Sequence, residues 1–294
     1  MSNPLSSTRN VLIGLLCLVL PVSLMPAVTA TAGSRVMHLE RAHAHNDYEH
    51  DRPLFDALDR GFKSVEADVW LVNGQLLVAH DLIDIDPSRT LQSLYLDPLL
   101  KTVKRNDGSV YRKDGDYFHL LIDIKSEGES TYKAIDEALG KYASIITKFT
   151  GGHVDERAVT VVISGNRPRA FMESQNVRYA AYDGRLSDLH SGAPAAFIPL
   201  ISDRWTSHFT WNGVGPMPES ERQKLRTIVR TAHEDGRRLR FWETPDQQGQ
   251  ARANVWQVLL EERVDYINTD DLAGLSEFLR ANDPKPTKPY VRRF

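Results

Sequence analysis

From residue 36 onward, short runs with apolar residues at alternate positions take turns with longer stretches whose apolar residues recur at three- and four-residue steps. These are the patterns of strands and amphipathic helices. The strand-like runs are VMHLERA (36–42), FKSVEADVWL (62–71), HLLIDIK (119–125), AVTVVIS (158–164), RYAAYD (178–183), AFIPLIS (196–202), LRFWETP (239–245) and VDYINT (264–269). Between them lie the helix-like segments 53–61, 130–149, 167–175, 220–236, 252–262 and 272–282. Ser130 is placed to cap a helix starting at Thr131, Asp270 and Asp271 suit the cap of the final helix, and Gly61 and Gly236 close theirs. Eight strands alternating with helices predict an α/β fold, a parallel (β/α)₈ TIM barrel, with a doubly wound open sheet as the alternative. The polar end of the last strand favours the barrel, whose reactive side chains gather at the carboxyl ends of the strands.

The segment before this pattern reads differently. A lone Arg9 precedes VLIGLLCLVLPVSLM, and Ala30 and Ala32 supply the small residues of an A-x-A cleavage site. Residues 1–32 therefore read as a secretory signal peptide, interrupted by Pro21 and Pro26 and so unsuited to a retained span. Leu16 before Cys17 argues against a lipoprotein anchor. Removing the leader takes away the only cysteine, one arginine and no acid, leaving 35 cations against 39 acids. The expectations are an exported chain without disulfides, no stable membrane span after processing, and no general attraction to nucleic acid. The divisions are the leader (1–32), one barrel (33–282) and a basic, proline-rich tail (283–294). A chain that is 41% hydrophobic and 26% charged can bury such a barrel's core.

The chemistry concentrates in the first three strands. Strand one ends in His43, His45, Asn46 and Asp47, and strand two carries Glu66 and Asp68 two apart, hence on one face. Two carboxylates side by side inside a barrel call for a cation, and oxygen donors from Glu, Asp and Asn favour Ca²⁺ or Mg²⁺. After Asn73 and Gly74, the run QLLVAHD returns like a hairpin and ends on His80, placed to share a cavity with His45. Strand three adds Asp123 and Lys125. A divalent cation, one imidazole to remove a proton and another to protonate the leaving oxygen match what phosphodiester cleavage requires, and Lys125 is placed to hold the phosphate as a point charge.

At these residues the chain resembles the superfamily of phosphatidylinositol-specific phospholipase C and glycerophosphodiester phosphodiesterase barrels. His45-Asn46-Asp47 is similar to the HN opening of the phospholipase barrel, Glu66-Ala67-Asp68 to its E-x-D metal pair, and His80 falls at its second histidine. The run from His43 to Asp81 resembles the branch that includes altered inheritance of mitochondria protein 6. The resemblance implies His45 and His80 as general base and acid. It also implies Asn46, Glu66, Asp68 and Asp123 as ligands of one divalent cation. Lys125, His43, Arg240 and Trp242 are candidates for binding the substrate, a phosphodiester such as a phospholipid or its head group. Asp123 stands where many relatives have glutamate, and Asn46 where glycerophosphodiesterases have arginine.

Two rivals stand beside this reading. H-x-H at a first strand end also resembles amidohydrolase metal sites, but strands four to six end in VVISGN, AAYDGR and LISDR without further histidines. A secreted barrel that binds without reacting is the other, although no catalytic histidine or metal acid is missing. His38 and His50 read as structural or solvated, His153, His190, His208 and His233 carry no signal, and Asn268 and Asp270 read as supporting or turn residues.

Overall fold

The protein is described by a computed structural model covering residues 37–112, 117–283 and 290–291. The expected leader and most of the tail lie outside the described residues. The strands are β1 (Leu39–Ala44), β2 (Phe62–Val72), β3 (Phe118–Ile124), β4 (Val159–Gly165), β5 (Ala180–Gly184), β6 (Leu200–Arg204), β7 (Arg238–Trp242) and β8 (Tyr266–Thr269). Each pairs in parallel with the next, and β8 returns to β1 with Ala42 opposite Ile267 and His43 opposite Asn268. That return closes the barrel and rules out the open sheet.

Period-two alternation sorts the strand residues into two cores. Leu121, Val162, Ala181, Leu200 and Tyr266 fill the barrel, while Leu120, Ile122, Val161 and Ile163 join the outer core. The surrounding helices supply Ile135 and Leu139 from Gly128–Gly140, Leu225 and Val229 from Glu219–Glu234, Val255 and Leu259 from Gln250–Glu261, and Leu275 and Leu279 from Leu272–Asn282. Among the described residues no helix is long and apolar enough to cross a membrane.

Three local expectations change. The helix expected over 130–149 begins earlier, because Glu127 rather than Ser130 caps it by accepting from the backbone N–H groups of Glu129 and Ser130. It also stops at Gly140, and Lys148–Thr150 forms a strand, as its β-branched and aromatic surroundings (Ile145, Ile146, Thr147, Phe149) favour. A helix at Asp97–Arg105, with Pro98 in its first turn, was not legible in the pattern. The hairpin after β2 is present: Gln75–Val78 pairs antiparallel with Val69–Val72 across Asn73 and Gly74, both at positive φ.

Candidate active site

The carboxyl end of the barrel is polar all round. Asp68 lies opposite Asp123, Asp123 opposite Ser164, Ser202 opposite Arg240, and His43 opposite Asn268. Glu66, Asp68 and Asp123 each offer an oxygen within 4.8 Å of the others. Lys125 Nζ donates to Asp68 Oδ2 at 3.0 Å and reaches Asp123 Oδ1 at 3.3 Å, while Arg240 Nη1 donates to Glu66 Oε2. Three acids thus face two fixed cations.

Their electrostatics follow from that imbalance. Arg240 holds Glu66 well below the usual carboxylate range against the opposing effect of burial. Burial and then the Glu66 charge push Asp68 up to about 6, more than Lys125 pulls it down. Asp123 is raised for the same two reasons. Asp68 Oδ1 is buried without a hydrogen-bond partner. Tyr48 Oη lies 2.7 Å from Asp68 Oδ2 and 3.0 Å from Asn46 Oδ1, and its single proton serves only one of them. Hard oxygen donors, an excess of negative charge and an orphaned carboxylate oxygen together fit a Ca²⁺ or Mg²⁺ ion.

Strand one delivers the next layer. Asn46 adopts the left-handed conformation (φ 45°), which asparagine tolerates, and turns the chain away from β1. Buried Asp47 anchors that turn by accepting from Leu54 N–H at 2.6 Å and Tyr95 O–H at 2.9 Å. His45 Nδ1 bonds Asp270 Oδ1 at 2.8 Å, which leaves Nε2 turned to the cluster, 4.0 Å from Glu66 Oε1. Burial lowers the basicity of His45, but the Asp270 hydrogen bond and the Glu66 and Asp270 charges outweigh it, and its pKa is raised. Of the supporting, turn and capping roles that the sequence allows Asp270, the structure shows the supporting one. The cap of the final helix, Leu272–Asn282, is Asp271 alone, accepting from Gly274 N–H, and Asp270 holds the histidine instead.

The remaining candidates divide. His43 is 1% exposed and Arg240 3%, so neither presents an open surface to a substrate. His43 Nε2 lies 3.0 Å from Glu66 Oε2 with Arg240 Nη1 against both, and His43 Nδ1 lies 2.7 Å from Ser64 Oγ, so both ring nitrogens are occupied. Burial, then the Arg240 charge, lower the His43 pKa to about 4. Both residues brace Glu66 from below, a different task from the expected substrate contact. Half-buried Trp242 sits at the rim with the Arg204 guanidinium 5.6 Å from its ring. His80 is the outlier: its side chain is 56% exposed and its Nδ1 lies 3.2 Å from Asp81 Oδ2. The chain does pass the cluster's edge one residue earlier, where Ala79 N–H donates to the Asp68 carbonyl at 3.3 Å.

Further polar side chains complete the layer without having been read from sequence. Asp183 is fully buried and accepts from Ser164 Oγ at 2.7 Å and Arg185 Nη1 at 2.9 Å. Its place at the end of the strand-like run RYAAYD is the available signal.

Comparison with known proteins agrees with the fold and the motif. Residues 33–183 match the model of the AIM6-like phosphodiesterase domain. The chain is 30% identical over 254 residues to an altered inheritance of mitochondria protein 6 homolog of Arthroderma benhamiae, covering 78% of this chain and 81% of that protein. It is 32% identical over 284 residues to altered inheritance of mitochondria protein 6 of Eremothecium gossypii, covering 82% and 69%. A glycerophosphoryl diester phosphodiesterase from Parabacteroides distasonis shares the fold, with a TM-score of 0.50 at 12% identity over 83% of this chain and 87% of that one.

Proposed function

The chain belongs to the AIM6-like phosphodiesterase family, and from that premise we propose that it is a metal-dependent phosphodiester hydrolase working by general base and acid catalysis. The observation that carries the reading is the His45–Asp270 pair aimed at the Glu66–Asp68–Asp123 cluster. Glu66, Asp68, Asp123 and Asn46 would hold a Ca²⁺ or Mg²⁺ ion. When bound, such an ion neutralises charge developing on the phosphoryl oxygens.

His45 Nε2 takes the proton of the attacking hydroxyl, whether water or a neighbouring hydroxyl of the substrate, and Asp270 steadies the imidazolium that results. Attack by a substrate hydroxyl gives a cyclic phosphate first. Lys125, spanning Asp68 and Asp123, offers the phosphate a point charge. His80 protonates the departing alcohol, which requires the exposed segment after Ala79 to turn inward. Residues 1–32 direct export, so the proposed setting is outside the cell. The amidohydrolase reading loses support, because His43 is committed to Ser64, Glu66 and Arg240 and has no free donor for a metal.

The test is hydrolysis of bis(p-nitrophenyl) phosphate with Ca²⁺ and with Mg²⁺. Turnover that chelator removes and that His45→Ala abolishes supports the proposal. A folded wild-type chain without turnover under either metal, against aryl, glycerol and lipid diesters alike, leaves the non-reacting binding barrel.

A further inference from the structure

The opposite end of the barrel holds a second built feature. There Lys148–Thr150, His153–Asp155 and Val177–Arg178 form a three-stranded antiparallel sheet ahead of β4 and β5. Phe149, 2% exposed, packs from this sheet against Leu121, Val162, Ala181, Leu200 and Tyr266 and so plugs the barrel floor. Beside the plug lies a cavity of about 330 Å³, walled by Phe149, Val154, Met172, Pro194 and Phe197, with Arg178 among them. Its size and largely apolar wall fall in the range of small-molecule sites, roughly 300–1,000 Å³.

Arg178 is the unusual member of that wall. Its guanidinium carbon lies 4.3 Å from the Phe149 ring centre and 5.1 Å from that of Phe197, so two aromatic rings fix it in place. Nη2 donates to the Ala196 carbonyl at 2.8 Å, but Nε is buried without a hydrogen-bond partner. Among the described residues no carboxylate lies within ion-pair distance of it. Asp136 attracts it from further away, yet the two oxygens of Asp136 already accept from Gln175 Nε2 and Tyr179 N–H. Glu173, also on the wall, is held by Arg169 at 2.8 Å. A half-buried cation whose only attracting carboxylate lies beyond ion-pair distance and is already hydrogen-bonded is costly, and burial holds its pKa below the ordinary value. An anion in the cavity removes that cost.

We infer that this basal cavity binds a small amphiphile with one anionic end, a carboxylate or a phosphate, placing the anion on Arg178 and its apolar body against Phe149, Met172 and Phe197. The site lies at the amino ends of β4 to β6 and shares no residue with the acid cluster, so occupancy is independent of hydrolysis.

Calorimetric titration of the full chain with decanoate, decyl phosphate and decyltrimethylammonium tests this. Saturable binding of at least one anion and none of the cation is expected, and comparing the two anions shows which head group is preferred. Arg178→Gln should weaken anion binding about tenfold or more, given what a charged hydrogen bond contributes. Met172→Trp, which fills the cavity, should remove binding even if Arg178→Gln fails to fold, and should leave hydrolysis of a soluble diester unchanged. The inference is overturned by equal binding of the cation, by unaltered affinity in folded Arg178→Gln or Met172→Trp protein, by competition with a soluble phosphodiester, or by no saturable binding of either anion.

Discussion

Two acid clusters, each with a buried glutamate at its centre, show opposite electrostatic designs in this protein. Between the helices Glu219–Glu234 and Gln250–Glu261, Glu262 accepts from both Arg222 and Arg226, and Arg222 reaches on to Glu261 at 2.6 Å. Pairing there favours the charged forms: the pKa values of Arg222 and Arg226 are raised by Glu262, and that of Glu261 is lowered by Gln257 and Arg222. At the barrel mouth, Glu66, Asp68 and Asp123 share only Lys125 and Arg240, and two of the three acids are pushed upward. Burial is common to Glu262 and Glu66, so burial does not distinguish them. What distinguishes them is whether the protein's own cations balance the charge. A cluster left short of positive charge beside an oriented histidine is built for something that arrives.

The largest expected break in this contrast is catalytic. His45→Ala should lower kcat/KM on an aryl diester by about 10²- to 10⁴-fold, the usual contribution of a positioned base. Glu262→Gln should leave kcat/KM unchanged while lowering stability by about 1–3 kcal/mol, since it leaves two arginines underpaired. Steady-state kinetics and urea unfolding of both variants separate the two clusters. Equal kinetic losses would erase the distinction. Next in size is the response to metal. An ion bound at 100 times its dissociation constant stabilises the folded state by about 2.7 kcal/mol. Thermal unfolding should therefore shift upward with Ca²⁺ or Mg²⁺ in the wild type and not in Asp68→Asn or Asp123→Asn. An undiminished shift in both variants would place the metal elsewhere.

The contrast also explains what the sequence made legible. Period-two runs ending in polar residues reveal a barrel, because alternation is imposed by each strand separately. The E-x-D spacing reveals a shared face for the same reason. Partners set by closure of the barrel leave no such trace: Asp270 meets His45 across 225 positions, and Arg240 meets Glu66 across 174. From its place at the end of the seventh strand, Arg240 reads as a candidate substrate contact. Its depth below Glu66 depends on the register of β7 against β8, where Arg240 lies opposite Tyr266. The strand at Lys148–Thr150 was hidden because it follows Gly140 without a break in the apolar pattern. One of its two partners, Val177–Arg178, lies beyond β4, and the other is the short strand His153–Asp155.

A smaller effect sharpens the role of Asp270. Its hydrogen bond and charge raise the His45 pKa, and a general base must be neutral to act. Asp270→Asn should therefore move the acidic limb of the pH–rate profile to lower pH, with a loss of about tenfold at the optimum from weaker orientation and a weaker base. A limb that stays in place would mean the profile reports another group. That outcome would separate His45 from the titration while leaving the cluster itself untouched.

His80 gives the smallest expected effect on an aryl diester and the most selective one. An acid matters in proportion to how poorly the departing alkoxide bears its charge, and p-nitrophenolate leaves without help. His80→Ala should therefore scarcely change turnover of bis(p-nitrophenyl) phosphate but should slow an alkyl diester such as glycerophosphocholine by about 10²-fold or more. Its exposed setting beside Asp81 makes the comparison informative, because a residue that only packs or holds the loop would slow both substrates alike. Parallel loss on the two substrates removes the acid role from His80. Loss confined to the alkyl diester means that the segment after Ala79 carries the imidazole to the cluster during turnover.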